Sequence, residues 1–223
     1  MVDCKKTYLI NYSFKMEEYI RMIILKIPPI LLALTVHECA HAWVATRLGD
    51  KTAYMLGRVT LNPLKHLDPI GTLAFFLSGM FGWAKPVPVN PMNFKNPSRD
   101  MMLVSLAGPG SNIFLAIIFA LIYKLIIAGG LYFTMASSSI GGPLLYMIKI
   151  SIILNVALAV FNLIPIPPLD GSRVLSHFLP PDKALTFSRL EPYGFIILVA
   201  LLVTGVLQKV VSPLIFFTIG LLI

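Results

Sequence analysis

Apolar residues come in long blocks parted by short polar stretches. The pattern predicts helices that cross a bilayer, where every backbone polar group must be satisfied within the segment. The first such helix is expected over 20–47. Glu17 to Lys26 already has helical spacing, with Ile20, Ile23 and Ile24 opposite Arg21 and Lys26, and Pro28-Pro29 predicts a kink. Gly49-Asp50 reads as the stop, with Arg47 in the last turn where a cation suits the helix dipole. Further spans are expected over 101–128, interrupted near its start by Gly108-Pro109-Gly110, and over 144–164, which runs into Pro165-Ile166-Pro167-Pro168-Leu169-Asp170-Gly171. A fourth is expected over 193–219. Gln208-Lys209 and Pro213 leave open whether the stretch from Tyr193 to Ile223 is one tilted helix or a span and a short surface piece.

The pieces between the spans have a different character. Ala53 to Leu61 is β-prone around Gly57 and ends at the turn signal Asn62-Pro63, which predicts short membrane-associated β-strands. Gly57 to Leu61 suits either strand packing or an exposed edge. The apolar stretch at 70–83 is only about 14 residues long, against the ~20 a crossing needs, and is read as re-entrant, with Lys85 to Pro91 supplying another extended piece. Residues 1–19 form a mixed-charge tail at the membrane surface. The expected fold is therefore a polytopic α-helical membrane protein with about four spanning helices, one re-entrant segment and short strands, forming a single domain over 1–223 without internal repeats.

Composition agrees. The 223 residues are 57% hydrophobic and 13% charged, with a mean hydropathy of +0.83, beyond the balance of a soluble domain. The net charge of +8 does not indicate nucleic acid, because the eighteen Lys and Arg are scattered between apolar runs without a basic stripe. Loop anchors at a lipid bilayer explain them better. Cys4 lies in a polar tail and Cys39 in the first apolar block, so no disulfide is expected. Met1 to Ser13 lacks the apolar core of a cleaved signal peptide, and the first helix is expected to serve as its own signal.

Against this apolar background, Thr35-Val36-His37-Glu38-Cys39-Ala40-His41-Ala42-Trp43 stands out. Two histidines four apart on a helix project about 40° from each other, and the glutamate beside the first points towards the metal they would share. Such groups inside a bilayer are costly unless they are used. A catalytic zinc site takes three protein ligands and leaves a position for water. The candidates for the third are Asp50, His66, Asp68, Asp100, Asp170, His177, Asp182 and Glu191. All but Asp170 lie in expected polar loops, and His66 and His177 are read as loop histidines. Asp170 ends a membrane helix in a proline-broken stretch, tolerated at depth only beside protein or a water-filled cavity. The expected chemistry is metal-assisted hydrolysis, with one zinc ion on His37, His41 and Asp170, and with Glu38 taking the proton of the water. On spacing alone Asn162 is read as an interhelical hydrogen-bonding residue, with an oxyanion donor as the alternative. Asn112 and Asn155 are read as packing polar residues.

Topology bears on the ligand set. If 70–83 crossed fully, the helices at 20–47 and 144–164 would be antiparallel, and Asp170 would emerge away from His41. If it is re-entrant, all three ligands approach one face. The segments then on that side, 47–100 and 171–192, carry ten Lys or Arg while 129–143 carries none, which places the active site towards the cytoplasm. The five basic residues from Lys5 to Lys26 oppose this orientation, with Asp3, Glu17 and Glu18 among them.

These motifs together resemble the site-2 protease family of intramembrane zinc metalloproteases, in its compact form without a PDZ or other accessory domain. The resemblance rests on His37-Glu38-Cys39-Ala40-His41, Gly57-Arg58-Val59-Thr60-Leu61-Asn62-Pro63, Asp68-Pro69-Ile70-Gly71, Ala107-Gly108-Pro109-Gly110-Ser111-Asn112, and Asn162 through Asp170-Gly171. It implies hydrolysis of peptide bonds in or near transmembrane segments of a substrate protein bound in extended form. It also implies His37, His41 and Asp170 as zinc ligands, Glu38 as base, Asn162 in substrate or oxyanion contact, and a prokaryotic cell membrane as the location. The competing expectations are a non-catalytic zinc-stabilised scaffold, which has no need of Glu38, and a metal transporter, which predicts polar residues spread over several spans.

Overall fold

The computed structural model describes residues 4–78 and 83–223; residues 1–3 of the tail and 79–82 of the expected re-entrant stretch lie outside the described residues. The helices are α1 (Cys4–Leu48), α2 (Thr52–Met55), α3 (Pro69–Ser78), α4 (Pro97–Ala128), α5 (Tyr132–Ser137), α6 (Gly141–Asn162), α7 (Asp170–Phe178), α8 (Pro181–Ser188), α9 (Gly194–Val203) and α10 (Val206–Leu222). Four stretches are long and apolar enough to cross a membrane: Ile20–Leu48, Pro97–Ala128, Gly141–Asn162 and Pro181–Val203. The shortest of them, 22 residues, is about 33 Å long at ~1.5 Å per residue, enough for a ~30 Å hydrocarbon core. Large apolar side chains such as Phe114, Leu121, Leu125, Phe195 and Phe216 point outwards, as suits contact with lipid. The protein is a polytopic helical membrane protein.

The centre is a three-helix packing of α1, α4 and α6. Small residues make the close approach possible: Ala33, Ala42 and Ala45 of α1, Ala116 and Ala120 of α4, and Ala159 of α6 are fully or almost fully buried. At the middle of this packing the Asn112 amide of α4 donates to the Ala33 carbonyl of α1 and to Asn155 Oδ1 of α6, so one side chain ties all three helices.

Several boundaries differ from the sequence expectation. The tail from Cys4 continues helically into the first span, through Pro28 and Pro29. Helix α4 begins four residues earlier than expected, with Pro97 at its first position and Asp100 accepting from the Asn96 N–H, and it continues through Gly108-Pro109-Gly110. Helix α6 covers 141–162 rather than 144–164. The last apolar stretch does divide, but at Gly205, whose left-handed φ of 73° separates α9 from α10; Pro213 lies within α10.

The expected β-strands are not found among the described residues; the only pairing there is an isolated antiparallel bridge between Leu67 and Ala84. The reason is local. Residues 52–58 close into a short helix and a turn, with the Arg58 N–H bonded to the Ala53 carbonyl. The Arg58 guanidinium then takes the place of a neighbouring strand, donating to the Lys85 and Pro86 carbonyls at 2.6 and 3.0 Å. Pro86 and Pro88 have no N–H to offer a ladder. The bridge, and a bond from the Lys85 N–H to the His66 carbonyl at 2.8 Å, bring the two ends of the 67–84 segment together.

Candidate metal centre

The site forms where the C-terminal halves of α1 and α6 meet the N-terminal half of α4. Helix α1 and the span α6 both run towards it and α4 runs away from it. After α6 the chain turns through Leu163 to Leu169, which includes a cis Pro167–Pro168 peptide, and α7 starts at Asp170. Gly171 lets α7 abut the end of α6, because a Cβ there would lie 2.2 Å from the Leu163 carbonyl oxygen.

This arrangement brings His37, His41 and Asp170 together. The His37 and His41 Nε2 atoms are 3.0 Å apart, and each is 3.3 Å from Asp170 Oδ2. The other ring nitrogens decide what these atoms carry. His41 Nδ1 lies 2.7 Å from the Val104 carbonyl, which only accepts, so that nitrogen holds the proton. His37 Nδ1 lies 2.6 Å from Asn112 Oδ1, and the Asn112 amide is committed to Ala33 and Asn155, so this nitrogen donates as well. In their neutral forms both rings therefore turn Nε2 lone pairs towards a buried carboxylate oxygen that has no hydrogen-bond partner. Three converging lone pairs repel one another unless a cation lies between them. Zinc bonds of ~2.0–2.1 Å in a tetrahedron set ligand atoms about 3.3 Å apart, close to the three distances found. The donor set and its spacing fit zinc.

A cavity of about 320 Å³ opens over these atoms, lined by Glu38, Asn162, Trp83, Val87, Val89 and Phe161 among others. Glu38 is therefore beside the metal cradle without being part of it. Asn162 is at the cavity wall, with one amide hydrogen donated to the Leu158 carbonyl of its own helix at 3.0 Å. The other sequence candidates lie elsewhere. Asp68 accepts from the Gly71 N–H at the start of α3, Asp100 caps α4, and His177 bonds Ser98. His66 lies in a turn, as expected, but is almost wholly buried, with its Nε2 on the Thr60 carbonyl.

Four features of the site have roles that were not read from the sequence. Asn112 and Asn155, read there as packing residues, form a chain that ends on His37 and sets its tautomer, the outer-shell role that commonly tunes metal ligands. Gly108 faces both histidines, and a Cβ on it would come within 2.3 Å of His41 Nε2. Arg58 is buried, and burial lowers its pKa from the ordinary arginine value while the nearby Glu38 charge works the other way. Asp50, completely buried beyond the end of α1, binds Thr52, the Asn90 N–H and the Asn93 amide. Burial pushes the Asp50 carboxyl up, but these hydrogen bonds outweigh it and hold it below its usual value, so a charged group pins the metal helix to the 90–93 turn. An unusual invariant pattern of buried polar residues would have been the only signal for these, and one sequence does not carry it.

A polytopic helical membrane protein with a buried His–His–Asp cradle and an adjacent glutamate has the makings of a membrane-embedded metallohydrolase. Comparison with known proteins makes this specific: the profile of peptidase family M50 matches residues 27–205, and the chain belongs to that family. It is 44% identical over 185 residues to YwhC of Bacillus subtilis strain 168, covering 83% of each chain. It is 30% identical over 198 residues to Rip2 of Mycolicibacterium smegmatis, covering 86% of this chain and 71% of that one. Both relatives carry zinc metalloprotease in their names. No solved structure gives a significant match.

Proposed function

We infer that this protein is a zinc-dependent intramembrane endopeptidase that holds one zinc ion on His37, His41 and Asp170. The observation that carries this reading is the convergence of three unprotonated ligand atoms beside Glu38 in a cavity among membrane helices. Zinc bound there supplies a Lewis acid and a water whose pKa falls to about 7. Glu38 accepts the proton as the water oxygen bonds to the scissile carbonyl carbon, and it returns that proton to the leaving amide nitrogen as the C–N bond breaks. Asn162 contacts the substrate carbonyl or the developing oxyanion. Its amide has two hydrogens, and the one held by Leu158 fixes the side chain while the other stays available. Buried Arg58 holds the cavity wall at Lys85-Pro86 in place. Replacing the third ligand tests the assignment: Asp170→Ala is expected to reduce bound zinc to a small fraction of one per chain, whereas Asp68→Ala loses only a helix cap, ~1 kcal/mol, and keeps its zinc. Equal zinc content in the two variants overturns the ligand set.

The substrate is a membrane protein whose cleaved segment is extended. Among the described residues the backbone N–H groups of Val87 and Val89 have no hydrogen-bond partner, and both residues line the cavity. Spaced two apart on an extended chain they face one way and offer a short edge to substrate backbone. This edge lies at 87–89; in the 57–61 stretch the turn takes up the Gly57 and Arg58 N–H groups.

The active site faces the cytoplasm of a prokaryotic cell. Support comes from the bacterial relatives, from the excess of Lys and Arg in 47–100 and 171–192, and from the paired ends of the 67–84 segment, which suit a stretch that dips into the bilayer and returns. Single cysteines placed near 60 and near 180 are expected to label from the cytoplasmic side, and one near 135 from the opposite side. Labelling of the first two from different sides overturns the arrangement.

A further inference from the structure

Arg173 lies three residues after Asp170 on α7, so the two side chains share a helix face. It lines the cavity over the metal cradle and also a second cavity of about 280 Å³, and Val89 of the extended wall is likewise common to both. The two spaces differ in chemistry. The first is walled largely by apolar residues such as Leu34, Val87, Leu158 and Phe161, whereas the second has Ser172, Ser176, Ser188 and Glu191 in its lining. A membrane protein cut near the end of a transmembrane segment has an apolar part for the first and a polar flank for the second. At the junction Arg173 is exposed, and its polar contact is the Met101 sulfur at 3.9 Å, a weak acceptor. Among the described residues no carboxylate lies within ion-pair distance of it. A guanidinium with its planar fork of donors uncommitted at such a point is suited to a carboxylate.

We propose that Arg173 is a specificity-determining residue that binds an acidic side chain of the substrate where the chain passes from the catalytic cavity into the second, polar one. This rests on the peptidase reading and adds to it a substrate class: membrane segments with Asp or Glu in the flank beside the scissile bond. The partly solvated position sets the scale, because a charge pair of this kind discriminates by about tenfold rather than by several orders of magnitude.

The experiment uses the zinc-loaded full chain in liposomes with reporter membrane helices that carry Glu, Gln or Lys at each flanking position in turn. At one position or a neighbouring pair, the wild type is expected to cleave the Glu reporter with about tenfold higher kcat/KM than the Lys reporter. Arg173→Glu is expected to invert that order and Arg173→Lys to keep it. A merely structural role for Arg173 lowers all three reporters together and leaves their order unchanged, and that result overturns the proposal. So does a wild type indifferent to flank charge, as it would be if Arg173 bound only the carboxylate terminus of a product. If the wild type cleaves no reporter at all, the peptidase reading falls and this inference falls with it.

Discussion

Glu38→Gln is expected to lower cleavage of a reporter membrane helix by about 10³-fold, the scale of a lost general base, while the protein keeps one zinc ion per chain. The two halves of the result come from one geometry. Glu38 is not among the three groups whose ligand atoms converge, so an uncharged isostere leaves the cradle intact. It does line the cavity beside them, and an amide cannot take the proton from the attacking water. A zinc-stabilised scaffold predicts something different, because nothing in such a protein depends on a carboxylate at 38. Cleavage undiminished in Glu38→Gln, measured on protein whose zinc content is determined in the same sample, sinks the hydrolytic mechanism. Zinc flux into liposomes that depends on His37 would point to a transporter instead.

The clustering of His37, His41 and Asp170 was legible in the sequence because these groups are out of place there. His37, Glu38 and His41 interrupt an apolar span, and Asp170 follows three prolines at the end of another. The structure adds that these two helices run in the same direction, which the sequence could reach only by treating 70–83 as too short to cross. The strands were misread because Ala53 to Leu61 has the composition of a strand, and composition does not show that a side chain, Arg58, has taken the hydrogen-bonding position of a neighbouring strand. The supporting shell was illegible for a related reason. Asn112 and Asn155 have the same spacing and surroundings as any polar residue that joins membrane helices, and they do join them; that the chain of bonds ends on His37 depends on how three helices are rotated about their axes. Gly108 looked like part of a helix break, yet α4 runs through it.

That glycine gives the second large prediction. In an exposed helix Gly→Ala is stabilising by ~1 kcal/mol, so propensity alone predicts a firmer α4 in Gly108→Ala. The packing predicts loss of the metal. An added Cβ would sit 2.3 Å from His41 Nε2 and 2.6 Å from His37 Nε2, the two atoms that face Asp170, and neither ring can move away while its other nitrogen stays bonded to Val104 or Asn112. Displacing ligand atoms in this way outweighs a helix preference, since changes merely to the outer shell of a metal site cost 10–100-fold in affinity. Gly108→Ala is therefore expected to bind zinc at least about 100-fold more weakly and to lose cleavage in proportion. Gly110→Ala, two residues along the same helix where a Cβ meets nothing within 4 Å, should keep both. Metal analysis and reporter cleavage on the two variants side by side separate the effects, because helix propensity treats the glycines alike and the metal cradle does not. A Gly108→Ala protein with a full complement of zinc would mean that α4 does not press against the histidines in the working enzyme, and the close approach of α1 and α4 on which the site depends would have to be redrawn.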